Sequence, residues 1–175
     1  MIDWLAKLPR ARGFWFSLAV FALFLEGAAL VYQYVLGYLP CVICIHVRLL
    51  VAGCFMVWLV AGFTCHSSWA RRIAMFLSLL LSAALAERSW QLLATENGWT
   101  VGSCEMTLGM PAWMAVDQWW PWMFEIHEPC GYTPYIIAKI SMAEVLMVMS
   151  IPMVLSFALL ALLAWMRPQP SPLLR

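Results

Sequence analysis

Charge is scarce in this chain. Only 11% of its 175 residues are Asp, Glu, Lys or Arg, where a soluble domain carries about 25%. That deficit excludes a water-exposed globule, because too few ionisable groups exist to cover one. The basic residues form no cluster and the net charge is +1, so the composition offers no basis for nucleic-acid binding. Also missing are a Gly-rich dinucleotide fingerprint, a haem-attachment motif and iron–sulfur cysteine spacing, which removes the usual built-in redox cofactors. There is no internal repeat and no lipidation motif. Low complexity is confined to the Pro-rich stretch from Arg167 to Pro172, which reads as a tail.

What the chain has instead is apolar length. Hydrophobic residues make up 65% of it, with a mean hydropathy of +0.84. Crossing a hydrocarbon core of about 30 Å takes about 20 helical residues, and four stretches suffice: Phe14 to Leu36, Val42 to Phe63, Ile73 to Ala94 and Ala143 to Met166. Backbone groups in lipid must pair within their own segment, so these are helices. The expectation is an all-α membrane protein. It has residues 1–13 on one side, a single four-helix transmembrane bundle over 14–166, a long loop over 95–142 between helices 3 and 4, and a tail over 167–175. Basic residues precede the first apolar run, yet that run continues past the small residues Gly27, Ala28 and Ala29, so it reads as an anchor rather than a cleaved signal. Pro152 in the fourth span is expected to kink it.

Lys7, Arg10 and Arg12, then Arg71 and Arg72, then Arg167 and Arg175 all fall on one side of this arrangement. By the positive-inside rule that side is the cytoplasm, and both termini lie there. The opposite side receives the turn from Gly37 to Cys41 and the long loop, which holds Trp99, Trp113, Trp119, Trp120 and Trp122. Tryptophan favours the lipid headgroup level, so the stretch from Pro111 to Phe124 is expected on the outer interface; the alternative is that these rings pack a small loop core.

Six cysteines are sorted by this layout. Cys41 and Cys44 form a CxxC directly after Pro40, at the outer mouth of the second span. A helix starting there would put both in its first turn, where unpaired N–H groups and the positive end of the helix dipole favour negative charge on sulfur. Arg48, four positions past Cys44 and seven past Cys41, falls on the same helical face. Cys104 and Cys130 both lie in the outer loop, among glycines and prolines that leave the chain free to bring either sulfur to a partner or to the first pair. Cys54 and Cys65 read as packing residues.

Four cysteines on an oxidising face admit three readings: dynamic exchange between two pairs, two static bridges, or a thiolate metal site built from Cys41, Cys44, Cys104 and Cys130. CxxC spacing and the Arg48 charge favour exchange. Against a metal stands the ligand-like spacing of only one pair, with His46 projecting away from Cys44 and His127 alone in the loop. No metal is assigned. Exchange needs an electron acceptor, and a quinone dissolved in the bilayer could reach Cys44 and Arg48. Its reduction creates anionic oxygen, which Arg48 could stabilise without giving up a proton.

These residues resemble the disulfide bond formation protein B (DsbB) family. The likeness runs through Arg12-Gly13, Glu26 and Gln33, then Pro40-Cys41-Val42-Ile43-Cys44-Ile45 and Arg48. It continues through Cys104, Pro111-Ala112-Trp113, Asp117-Gln118-Trp119, Pro121, Phe124 and Cys130. The resemblance implies a thiol:quinone oxidoreductase of the bacterial inner membrane, with its catalytic cysteines and long loop on the periplasmic side. It implies that a periplasmic thioredoxin-fold oxidase, DsbA-like, attacks a Cys104–Cys130 disulfide and forms a mixed disulfide at Cys104. Cys130 would then engage Cys41, leaving Cys44 to face ubiquinone or menaquinone with Arg48 beside it. A specialised branch serving a dedicated oxidase, sometimes called DsbI, fits the same residues. A vitamin K epoxide reductase-like enzyme shares the general logic, but the order of cysteines, CxxC first and loop pair after, favours the DsbB pattern.

The chain departs from that pattern in places. No histidine stands in the stretch directly after Trp90-Gln91, residue 47 is Val47, and Tyr135, Met142 and Val145 stand where the family usually has a further Trp-containing stretch. Glu26, at mid-depth in the first span, is either packing glue or functional. Glu87 and Arg88 either form a local ion pair or line the quinone site.

Overall fold

The computed structural model describes residues 7–100, 108–110, 115–127, 135–137 and 140–166. Four long helices dominate these residues: α1 (Arg12–Tyr34), α2 (Val42–Thr64), α3 (Ser68–Glu96) and α4 (Met142–Met166). Each is long and apolar enough to cross a membrane. The protein is therefore the expected all-α, four-helix membrane protein with a loop between helices 3 and 4.

The helix ends show where hydropathy misleads. α3 begins at Ser68, five residues ahead of the apolar stretch, because Arg71 does not leave the helix to reach water. It is buried, and its Nη1 donates to the carbonyl of Cys65 at 2.7 Å and that of His66 at 3.3 Å. A cation at carbonyls just past the end of α2 complements that helix terminus. α4 begins with a reciprocal cap: the Ser141 N–H donates to Glu144 Oε2 at 2.9 Å, and the Glu144 N–H donates to Ser141 Oγ at 3.3 Å. Such a box satisfies two otherwise unpaired donors. Just before it, Tyr135–Ile137 and Ile140–Ser141 pair antiparallel, a short two-stranded sheet that the loop expectation did not include.

Helix α1 packs on α2, α2 on α3 and α3 on α4. Trp15, Ala19 and Ala22 of α1 meet Val51, Cys54 and Trp58 of α2, with Ala74, Met75 and Leu85 of α3 and Phe157 and Leu160 of α4 completing the core. Trp58 stacks on Phe157 with ring centroids 6.0 Å apart and donates from Nε1 to Ser78 Oγ at 3.0 Å. Gly62 lets Phe16 approach so closely that a Cβ there would meet its ring at 2.9 Å. The outward faces are as apolar as the core, with Phe24, Val148 and Leu162 exposed, as lipid-facing helices require. Between α1 and α4 the seam is open. An apolar cleft of about 550 Å³ lies there, walled by Phe14, Leu18 and Phe21 on one side and Met153, Phe157 and Leu160 on the other. Helix α4 continues through Pro152, which lines this cleft.

The described parts of the outer loop sit on the mouth of α1 and α2. Val116 and Phe124, from the short helical turns Val116–Trp119 and Pro121–Phe124, pack with Leu108 against Val42 and Ile45. Trp119, Trp120 and Trp122 are exposed, so these three rings are not the loop's core. Trp113 lies outside the described residues.

Candidate functional site

The turn after α1 delivers the CxxC pair. Gly37 adopts φ +74°, a left-handed conformation that favours glycine, and the Tyr38 N–H donates back to the Tyr32 carbonyl at 3.0 Å. The chain then extends through Pro40 into Cys41, which caps α2 rather than lying inside its first turn as expected. Its sulfur accepts the Cys44 N–H at 3.4 Å, and the two sulfurs lie 2.7 Å apart. A sulfur thus takes the capping position usually held by Ser, Thr, Asp or Asn oxygen. Cys41 is buried against Leu92 and Ala143; Cys44 is half-buried.

Arg48 lies one turn deeper, buried within the bundle. Its Nη1 donates to Gln33 Oε1 at 2.5 Å and to the Met123 carbonyl at 3.0 Å, and its Nη2 donates to the Ala29 carbonyl at 3.0 Å. All three acceptors are neutral oxygens. They solvate the guanidinium but leave its net charge in place.

Cys44 and Arg48 line one cavity of about 260 Å³. Leu25, Ala28, Ala29 and Tyr32 of α1, Val47 and Val51 of α2, and Val145, Leu146 and Met149 of α4 supply most of the remaining wall, with Glu26 among them. The cavity shares Leu25, Val51, Leu146 and Met149 with the α1–α4 cleft, so the two spaces adjoin.

Contacts outside the cavity hold this mouth together. The His127 N–H donates to the Pro40 carbonyl at 3.2 Å, His46 Nε2 donates to the Leu108 carbonyl at 3.0 Å, and the Tyr34 hydroxyl donates to the Trp122 carbonyl. Cys104 and Cys130 lie outside the described residues. Cys54 is buried in the core, and Cys65 lies buried at the far end of α2. Glu87 and Arg88 do not belong to the cavity wall; they form a surface ion pair at 3.8 Å bridged by Gln91.

The model for the family described as Disulfide bond formation protein DsbB matches residues 11–166, nearly the whole described chain. The chain belongs to the DsbB family. Among related proteins, Disulfide bond formation protein B of Aeromonas salmonicida (strain A449) is 33% identical over 149 residues, covering 82% of this chain and 84% of that protein. Disulfide bond formation protein B of Aeromonas hydrophila is 31% identical over 167 residues, covering 93% and 94% respectively. Disulfide bond formation protein B 2 of Pseudomonas aeruginosa (strain PAO1) is 33% identical over 134 residues, covering 75% and 79%. As a DsbB family member with four membrane-length helices, the chain is a multi-pass membrane protein of disulfide bond formation, an oxidoreductase role.

Sequence reasoning singled out Cys44 and Arg48 but gave no role to Gln33. The signal was available: Glu26 and Gln33, seven positions apart, are polar residues on one face of an otherwise apolar run. The carbonyls of Ala29 and Met123 left no signal, because any residue type supplies a carbonyl.

Proposed function

We propose that this protein reoxidises a periplasmic, DsbA-like dithiol oxidase of the thioredoxin fold and passes the electrons to a quinone in the bacterial inner membrane. In this reading both termini are cytoplasmic and the cysteines act on the periplasmic side, in line with the distribution of Lys and Arg. The observation that carries it is the cavity whose wall holds both Cys44 and Arg48.

The residues present fit a quinone. The cavity, about 260 Å³, is close to the lower bound of about 300 Å³ for small-molecule pockets, which suits a ring headgroup. The adjoining α1–α4 cleft, about 550 Å³ and almost wholly apolar, suits a hydrocarbon tail. A bound quinone, ubiquinone or menaquinone, supplies an acceptor for two electrons and two protons. Cys44 lines that space, and Arg48, in the same wall, holds a fixed positive charge that cannot be lost by deprotonation. Cys41, capping the helix, stays within bonding reach of Cys44.

The entry of electrons is assigned through the family resemblance to Cys104 and Cys130. Residues close to both in sequence are anchored near the CxxC. Leu108, four positions after Cys104, is bonded to His46 of α2, and His127, three positions before Cys130, is bonded to Pro40. Thiolate attack on the Cys104–Cys130 disulfide by the reduced partner, then attack of Cys130 on the first pair, moves the electrons inward with one bond formed for each bond broken.

The test combines purified protein, a quinone and a reduced thioredoxin-fold oxidase, and follows quinone absorbance. Loss of quinone is expected with the unaltered chain and should stop in Cys44→Ser and in Cys104→Ser. Unchanged turnover in Cys44→Ser would remove the proposed electron exit.

A further inference from the structure

Glu26 is the unexplained group in this wall. It is buried on α1, 8% exposed, and both carboxyl oxygens lack a hydrogen-bond partner among the described residues. Buried polar atoms are nearly always satisfied, and an orphan carboxyl inside a membrane-spanning bundle calls for an explanation. The surroundings supply one. Glu26 lines the same cavity as Cys44 and Arg48. It shares a helical face with Ala29 and Gln33, both of which hold the Arg48 guanidinium. Arg48 itself makes its hydrogen bonds to neutral oxygens, and no ion pair to Glu26 occurs. The described residues thus leave without a partner the carboxyl of a residue that lines the cavity.

We propose that Glu26 is a catalytic proton donor, giving a proton to the oxygen of the quinone reduced in this cavity. The inference rests on the quinone reading above. Its chemistry balances as follows. Closing the Cys41–Cys44 disulfide from the dithiol releases two electrons and two protons, and converting quinone to quinol takes up the same number. Glu26 gives one proton to a ring oxygen and regains one from the thiols, so no further reductant is needed. Of the other polar groups in the wall, Arg48 does not release its proton. Tyr38 lies at the exposed outer edge, with its ring 6.1 Å from that of Tyr32.

The test uses the full-length protein, a short-chain ubiquinone and the variants Glu26→Gln, Glu26→Asp and Tyr32→Phe. Quinone binding is read by quenching of tryptophan fluorescence, turnover by quinone absorbance, and the carboxyl by infrared difference spectra recorded on reduction. Glu26→Gln should lower kcat about 10²-fold, the scale of a lost general acid, while the quinone Kd stays within about threefold. The unaltered protein should show a carboxyl C=O band that changes on reduction and is absent in Glu26→Gln. Glu26→Asp should recover part of the rate and keep a shifted band. The proposal is overturned by an unchanged kcat, by a raised Kd with kcat intact, by an infrared difference free of any carboxyl band in the unaltered protein, or by the loss falling on Tyr32→Phe instead. If the Gln variant does not fold, the infrared spectrum of the unaltered protein and the Asp variant still decide. An unaltered protein that neither binds nor reduces quinone would count against the quinone reading itself, a separable result.

Discussion

Replacing Arg48 by methionine, an unbranched apolar side chain that ends two bonds short of the guanidinium nitrogens, removes a buried charge and three hydrogen bonds. Two consequences should separate in magnitude. The first is structural. Gln33 Oε1 and the Met123 carbonyl lose their donor, at about 1 to 3 kcal/mol for each acceptor left unsatisfied. The second is electrostatic and should appear in the quinone step. Removing one preorganised charge from a water-poor site costs about 3 to 4 kcal/mol, a slowing of about 10²- to 10³-fold. Arg48→Lys distinguishes them, because a lysine keeps the charge but cannot span acceptors on α1 and on the outer loop with one planar fork. The assay runs quinone absorbance beside quinone-free thiol exchange, in which the reduced oxidase is mixed with protein, quenched in acid and its thiols alkylated. Methionine should slow quinone loss by the full amount and exchange by no more than about threefold; lysine should recover most of the quinone step. Equal damage in the two variants, or methionine turning over at the normal rate, would refute an electrostatic role.

Two further outcomes follow from packing. Gly62→Ala should destabilise the α1–α2 contact by about 1 to 3 kcal/mol, because the added carbon would lie 2.9 Å from the Phe16 ring, itself packed edge-on against Phe63. Unfolding in mixed detergent micelles measures it, and an unchanged midpoint would mean that Phe16 swings aside freely. The double variant Cys54→Ala, Cys65→Ala should keep quinone turnover within about threefold of normal, since Cys54 is enclosed in the core and Cys65 sits at the other end of α2 from the cavity. A large loss in that variant would put a fifth redox sulfur into the scheme.

The four spans could be read from hydropathy because lipid demands apolar length, and three of them begin within two residues of the expected position. The exception, α3, failed for a physical reason: an apolar window stops at Arg71 and Arg72, whereas the helix keeps Arg71 by spending its charge on the carbonyls of Cys65 and His66. The start of α4 carried a readable signal, Ser141-Met142-Ala143-Glu144, that a hydropathy window passes over. At the site, Cys44 and Arg48 were legible because helical periodicity is local. The cavity was not. It depends on α4 approaching α1 from more than a hundred residues away. The outer loop was no easier to read, since its buried contacts are made by Val116 and Phe124 rather than by its conspicuous tryptophans. The pairing of Tyr135–Ile137 with Ile140–Ser141 escaped for a related reason, since two strands this short leave no periodic pattern.

Two charged residue types buried in one wall would ordinarily be read as a structural ion pair, and that arrangement would do little for chemistry in the cavity. A carboxylate clasped to a guanidinium cancels most of the field beyond the pair. Here the arrangement differs. Arg48 is held by an amide oxygen and two backbone carbonyls, and the Glu26 carboxyl makes no hydrogen bond among the described residues. Dipolar oxygens make the burial of a cation tolerable without neutralising it, so its field still reaches the cavity. The Met123 contact adds a second consequence, because the guanidinium that charges the wall also pins the outer loop over α1 and α2. Loop position and cavity electrostatics are fastened to one side chain. Substitutions of Arg48 must therefore be judged on quinone use and thiol exchange together, since either alone confuses the two roles.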